Sequence, residues 1–174
     1  ISGINRYRAT IAHIAAHRRW SKALFADNLS PFQRISIEIF EDSRVEYLAI
    51  KEYPGLRAIF QALHPIPIEE DCDQEHSCCL LHRLAILSRG MLDPNHNYKN
   101  EDILDFISRF HTVMESSDNS NTQEMVQLGI SFIAKTKQAS DSFPNIIFDN
   151  TEVDYRDDNR HLWMFIEEGD EEEA

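Results

Sequence analysis

Four carboxylates fall within nine residues of a stretch that is otherwise apolar: Glu38, Glu41, Asp42 and Glu46 in EIFEDSRVE. The surrounding run from Phe32 to Ile50 is rich in Ile, Phe, Val and Leu, and its spacing predicts a helix with one buried face. On that helix Glu38, Asp42 and Val45 share one row, and Glu41, Val45 and Leu48 share the row beside it. Charge so close to a buried face is costly unless it is paired, bound to a metal or offered to a partner. Any fold for this chain has to satisfy that row.

The bounds on the rest are loose. A chain of 174 residues with 42% hydrophobic content and ten Phe can build one domain with a sizeable core. No apolar run approaches the roughly 20 residues that span a bilayer, which argues against membrane insertion. The opening ISGINRYRAT has no signal-peptide character and no initiator Met, which reads as a fragment or a processed product. The net charge of −13, much of it in the final EEGDEEEA, disfavours nucleic acid as a general partner. Cys72, Cys78 and Cys79 are odd in number and two are adjacent, so reduced thiols in a cytoplasmic protein are the expectation.

Few Gly and Pro and long helical periodicities predict a mainly α protein, a single domain over residues 1–166 with five or six helices, then an acidic tail or linker over 167–174. A first helix is expected from Asn5 to Phe25. Ser30-Pro31-Phe32-Gln33 is a capping box with Pro at the first helical position, and its helix should run to Glu52. Pro54 can open a short helix to Leu63. Further helices are expected over Cys78–Met91, from Asn100 to Met114, and from a second capping pattern at Asn121 to near Ala139. After Pro144 the character changes. Ile146, Ile147, Phe148, Val153 and Tyr155 suit short strands, and LWMFIEE suits a strand or a helical turn.

Three constellations carry possible chemistry. His13 and His17 are four apart on the first helix, so one metal can be held by both. HIAAH followed about twenty residues later by Glu38 and Asp42 has the spacing of the gluzincin zinc site, which makes His13, His17 and Glu38 the candidate zinc ligands. The general base of a HExxH peptidase follows the first His directly, and here that residue is Ile14, so an active peptidase is not expected. Independently of metal, a short connection near Asn28 should set the two long helices antiparallel, with His13 and His17 facing Glu38 and Asp42. A second cluster, Cys72, His76, Cys78, Cys79 and His82, matches no zinc-finger spacing. The turn DYRDDNRHLW is either tied down by its own Arg–Asp pairs or a surface for another protein, with Tyr155, Arg156, Arg160 and Trp163 as anchors. No Gly-rich phosphate loop and no GxSxG elbow occur.

YRATIAHIAAHRRWS, LSPFQRISIEIFEDSRVEYLAIKEYPGLRAIFQALHP, HRLAILSRGMLDP and VDYRDDNRHLWMFIEEGDEEE together resemble the region ahead of the von Willebrand factor A domain in the NorD/CbbO proteins, activation proteins for nitric oxide reductase and Rubisco. The resemblance implies a non-catalytic adaptor that works with a MoxR-type AAA+ ATPase on a target enzyme. The DxSxS metal motif of the von Willebrand domain is absent from this chain. The alternative is a degenerate zincin-like metal-binding domain, or a metal-dependent hydrolase of unusual type.

Overall fold

Ser30 starts the longest helix through local hydrogen bonding. Its Oγ accepts from Gln33 N at 3.1 Å, while Gln33 Oε1 accepts from Ser30 N at 2.9 Å, so two orphan donors of the first turn are satisfied. The helix runs over Pro31–Glu52 and stops ahead of Pro54, with Tyr53 N donating to Ala49 O. In the computed structural model, residues 3–70, 79–116, 120–139, 141 and 153–166 are described. The expected strand residues Ile146, Ile147 and Phe148, the acidic tail, and Cys72, His76 and Cys78 lie outside them.

In chain order the elements are α1 (Gly3–Trp20), β1 (Leu24–Phe25), α2 (Pro31–Glu52), α3 (Leu56–Leu63), α4 (Cys79–Leu92), α5 (Glu101–Glu115), α6 (Thr122–Thr136), a 3-10 turn at Arg160–Leu162 and β2 (Trp163–Met164). The protein is thus mainly helical, with one parallel two-stranded pairing, β1 to β2, among the described residues. None of the described helices is long and apolar enough to cross a membrane. Asn100 caps α5 by accepting from Ile103 N, and Asn121 caps α6 by accepting from Glu124 N.

Three expectations need correction. The first helix ends at Trp20 rather than Phe25 because Ser21 and Lys22 are drawn inward to Glu41 and Thr122. Leu24 and Phe25 become β1, and Asn28 turns the chain in the left-handed region at φ 68°. Val153–Tyr155 is no strand but a turn closed by Arg156 N to Val153 O at 3.0 Å, because Tyr155 leaves the surface to stack on Phe60. Cys79, expected as a reduced thiol, is disulfide-bonded, and His82 hydrogen-bonds through Nε2 to the Ile68 carbonyl.

Helix α2 is the axis of the molecule and contacts every other α-helix. One side carries Phe40 into a core with Phe106, Phe110 and Phe132, their ring centroids 5.2 to 6.5 Å apart, and with Leu84, Leu87 and Met125. Each such side chain contributes about 1.5–3 kcal/mol through burial. The other side carries Val45, Ala49 and Ile50 against α1 and α3. Helix α6 crosses α2 at Gly129, where Ser36 Oγ donates to the Gly129 carbonyl. A Cβ at Gly129 would lie 2.8 Å from the backbone of Ile37, and that backbone cannot rotate away. Gly129→Ala should therefore destabilise the fold by roughly 1–3 kcal/mol through overpacking, whereas Gly55→Ala, which meets nothing within 4 Å, should not. Urea denaturation of the two variants measures the contrast.

Candidate functional site

The carboxylates of α2 turn in different directions. Glu41 turns toward the start of α6 and pairs with Arg44 three residues on, Nη2 to Oε1 at 2.7 Å and Nε to Oε2 at 3.0 Å. Ser21 Oγ and Thr122 Oγ1 also donate to Glu41, at 2.7 and 3.1 Å, and Arg44 Nη2 reaches the Trp20 carbonyl at 2.6 Å. This knot fastens the end of α1 and the head of α6 to α2.

Asp42 and Glu46 turn toward α1. Asp42 Oδ1 lies 2.8 Å from His17 Nε2 and 3.2 Å from His13 Nε2, and His13 Nδ1 lies 3.8 Å from Glu46 Oε1. His13 pairs with the later carboxylates and His17 with the earlier one, which is the antiparallel packing expected from the sequence. All four side chains are at most 4% exposed. Glu38, expected beside them, instead accepts from the Trp163 indole at 2.7 Å. The turn of the chain between the helices displaces the facing positions by one helical step, so Glu46 takes the place expected for Glu38.

The opposing charge arrives from the far end of the chain. Arg156 donates Nε to Glu46 Oε2 at 3.1 Å, holds the same oxygen through Nη2, and donates Nη1 to Ser88 Oγ at 3.0 Å. Asn159 Nδ2 donates to Asp42 Oδ2 at 3.2 Å, with Asn159 itself in the left-handed region at φ 56°. Tyr155 OH meets His64 Nδ1 at 3.0 Å, and His64 Nε2 meets Ser88 Oγ at 2.8 Å. Tyr155 and Arg156 are therefore interior, and they are not the exposed anchors expected of them: one fills an apolar slot and the other neutralises Glu46. Arg160 is 90% exposed and pairs with Asp158 at 2.6 Å, while Trp163 is half-buried on Glu38.

Burial alone would raise the Asp42 carboxyl, but the two histidines and the Arg156 charge outweigh it and hold Asp42 well below the usual carboxylate range. Burial likewise lowers His13, yet the contact with Asp42 and the charges of Asp42 and Glu46 leave it raised overall. His64 has no such carboxylate contact, and burial with Arg156 and Arg89 nearby keeps it low and neutral. Burial lifts Tyr155, reinforced by the charge of Glu46. Glu38 is pushed up to about 7, by burial first and by Asp42 and Asp158, against the pull of the Trp163 bond and Arg34.

Glu38, Asp42, Asp154, Arg156, Asp157 and Asp158 line one cleft of about 430 Å³ between α2 and the segment before the 3-10 turn. Sequence reasoning missed Asp157, whose carboxylate comes within 4.8 Å of one ring nitrogen each of His13 and His17. It also missed the joint role of Ser21, Thr122, His64, Ser88 and Asn159. Only Arg44 carried a local signal, since it sits three residues after Glu41 on the same helix. No protein-family model, curated protein or solved structure matches this chain.

Asp42→Ala should cost on the order of 3–5 kcal/mol, because it strands two imidazoles, Asn159 and a guanidinium inside the protein. Arg6→Ala, which breaks an ion pair 61% exposed on both sides, should cost under about 1 kcal/mol. Paired chemical denaturation curves check this. Because the folded-state value of Glu38 is raised, its ionisation opposes folding: the cost is absent below pH 4.5, grows as pH rises, and is complete above about 7. Glu38→Gln keeps the acceptor for Trp163 and should stabilise the protein at pH 8, by up to about 3 kcal/mol, with no gain near pH 4. Thermal melts of both proteins across that range give the answer.

Proposed function

We propose that this domain is a non-catalytic adaptor, working with a MoxR-type AAA+ ATPase to activate a target enzyme, as the resemblance to the NorD/CbbO proteins implies. One observation carries the reading, an apolar ribbon left at the surface. Phe25 and Met164 face each other across the parallel β1–β2 pairing, and Phe165 and Ile166 extend it, with exposures of 59, 39, 63 and 64%. Large apolar side chains gathered on a surface mark a contact for another protein.

The ribbon is held in place rather than left loose. Ala26 N donates to Met164 O at 2.8 Å, Ile166 N donates to Asp27 Oδ2 at 2.9 Å, and Trp163 is fixed by Glu38. A preformed surface lowers the ordering cost of association. The interior favours the same reading. Glu41 is fully committed to partners within the fold, and Ile14 occupies the place of a peptidase base. With no phosphate loop in the sequence, the energy for remodelling comes from the ATPase partner.

The experiment is retention of the ATPase and of the target enzyme on the immobilised chain, with and without ATP. Phe25→Glu combined with Phe165→Glu should abolish retention at an unchanged melting temperature, since both side chains face solvent. Undiminished retention of both baits by that variant would rule out the ribbon as the contact. A full-length protein that still couples ATPase to target after losing this region would defeat the adaptor reading itself.

A further inference from the structure

The two imidazoles of α1 are wired alike. Glu41 accepts hydrogen bonds from Arg44 Nε and Nη2, from Thr122 and from Ser21, so the single hydroxyl proton of Ser21 points at Glu41. Ser21 Oγ, 2.8 Å from His17 Nδ1, is then left to accept, and His17 carries its proton on Nδ1. With that proton alone, the Nε2 lone pair would face Asp42 Oδ1 at 2.8 Å, acceptor against acceptor. Something positive belongs between them.

His13 repeats the pattern. Its Nδ1 faces Glu46 Oε1 at 3.8 Å, and its Nε2 points at the same Asp42 oxygen from 3.2 Å. Although His13 is fully buried, neither of its ring nitrogens has an aligned hydrogen bond, and Glu46 Oε1 has none either. Buried polar atoms are rarely left so. In metal sites a ligating histidine aims its second ring nitrogen at a carboxylate or another fixed acceptor, which orients the ring. Here Glu41, through Ser21, and Glu46 stand in those outer positions.

The third ligand comes from the opposite wall of the cleft. The Asp157 carboxylate and one ring nitrogen of each histidine all lie within 4.8 Å of one another. We infer that His13, His17 and Asp157, with Asp42 Oδ1 beside the two Nε2 atoms at 3.2 and 2.8 Å, form a site for a divalent transition metal of the zinc class. Glu38 has no part in it.

The chemistry selects that class. Two imidazoles favour a borderline ion such as zinc over calcium or magnesium, which prefer all-oxygen shells. Two carboxylates and two neutral rings balance a doubly charged ion. The cleft that reaches Asp42 and Asp157 carries five carboxylates and one guanidinium, which draws cations toward these two residues. The ligands belong to α1 and the segment before β2, so the ion would staple two distant parts of the chain to each other. The inference does not depend on the adaptor reading, and its test needs no partner.

The purified chain, freed of metal by a chelator, is titrated with Zn²⁺ by calorimetry and with Co²⁺ by visible absorption. One equivalent of each should bind, the cobalt form should show the intense bands of four-coordination, zinc should raise the melting temperature, and excess Mg²⁺ or Ca²⁺ should not compete. Asp157→Asn retains an oxygen to accept from Asn159 N and gives up only the solvent-exposed pairing with His161 at 3.5 Å, so the metal-free melting temperature should barely move. Its zinc affinity should fall by more than the about 10- to 100-fold that loss of an outer-shell partner costs, and the thermal gain should shrink with it. His17→Gln should lose the cobalt bands; if it fails to fold, Asp157→Asn decides alone. Absence of stoichiometric zinc, which would leave a second proton on His17 to fill the gap, overturns the proposal. So does zinc binding that Asp157→Asn leaves unchanged.

Discussion

Everything in this fold answers to the carboxylates that α2 carries into the interior. Moving a carboxylate out of water costs several kcal/mol even after relaxation, so Asp42 and Glu46 are tolerable only with their partners present. Glu41 has its cation three residues away, and that pair forms as soon as the helix does. Asp42 and Glu46 must wait for histidines from α1 and an arginine from beyond residue 150. The helix is thus both the apolar axis of the core and the place where the chain ends are tied together.

The polar layer also fixes how the helices sit. A Phe core tolerates sliding if volume is kept, because burial has little directionality. The histidine row does not. Moving α1 by one turn along α2 would bring Ala9 opposite Glu46 and leave a buried charge facing a methyl group. His13 and His17 therefore choose the register of the α1–α2 pair, while Phe40, Phe106, Phe110 and Phe132 supply the bulk of its stability. Gly129 plays the corresponding role on the opposite side by letting α6 approach the α2 backbone.

What the sequence disclosed was what short-range physics decides. The Ser30–Gln33 capping box, the Asn100 and Asn121 caps and the stop before Pro54 all involve residues within a few positions of each other, and all are formed. The pairing of His17 with Asp42 was also legible, since two helices joined by a short connection place residues at matching heights. Glu38 and Glu46 were interchanged because heights alone leave an uncertainty of one turn, and the helix crossing resolves it. Tyr155 and Arg156 look like surface anchors in the sequence because composition cannot tell an arginine that awaits a partner from one that already has a buried carboxylate 110 residues upstream. Asp157 escaped notice for the same reason, since its nearness to the histidines exists only after the segment docks.

Those sequence separations have a kinetic meaning. The His17–Asp42 contact closes over 25 residues, whereas Arg156–Glu46 closes over 110 and Asn159–Asp42 over 117. Each doubling of a loop adds only about 0.6 kcal/mol of closure entropy, so the long contacts are affordable, but they form after the helices they join. Undocking of the segment from Val153 to Ile166 would leave Glu46 without its arginine and Asp42 without its asparagine. Docking of this segment and neutrality at the centre of the molecule are therefore one event, since the same guanidinium that anchors the segment is the counter-charge of the helix axis.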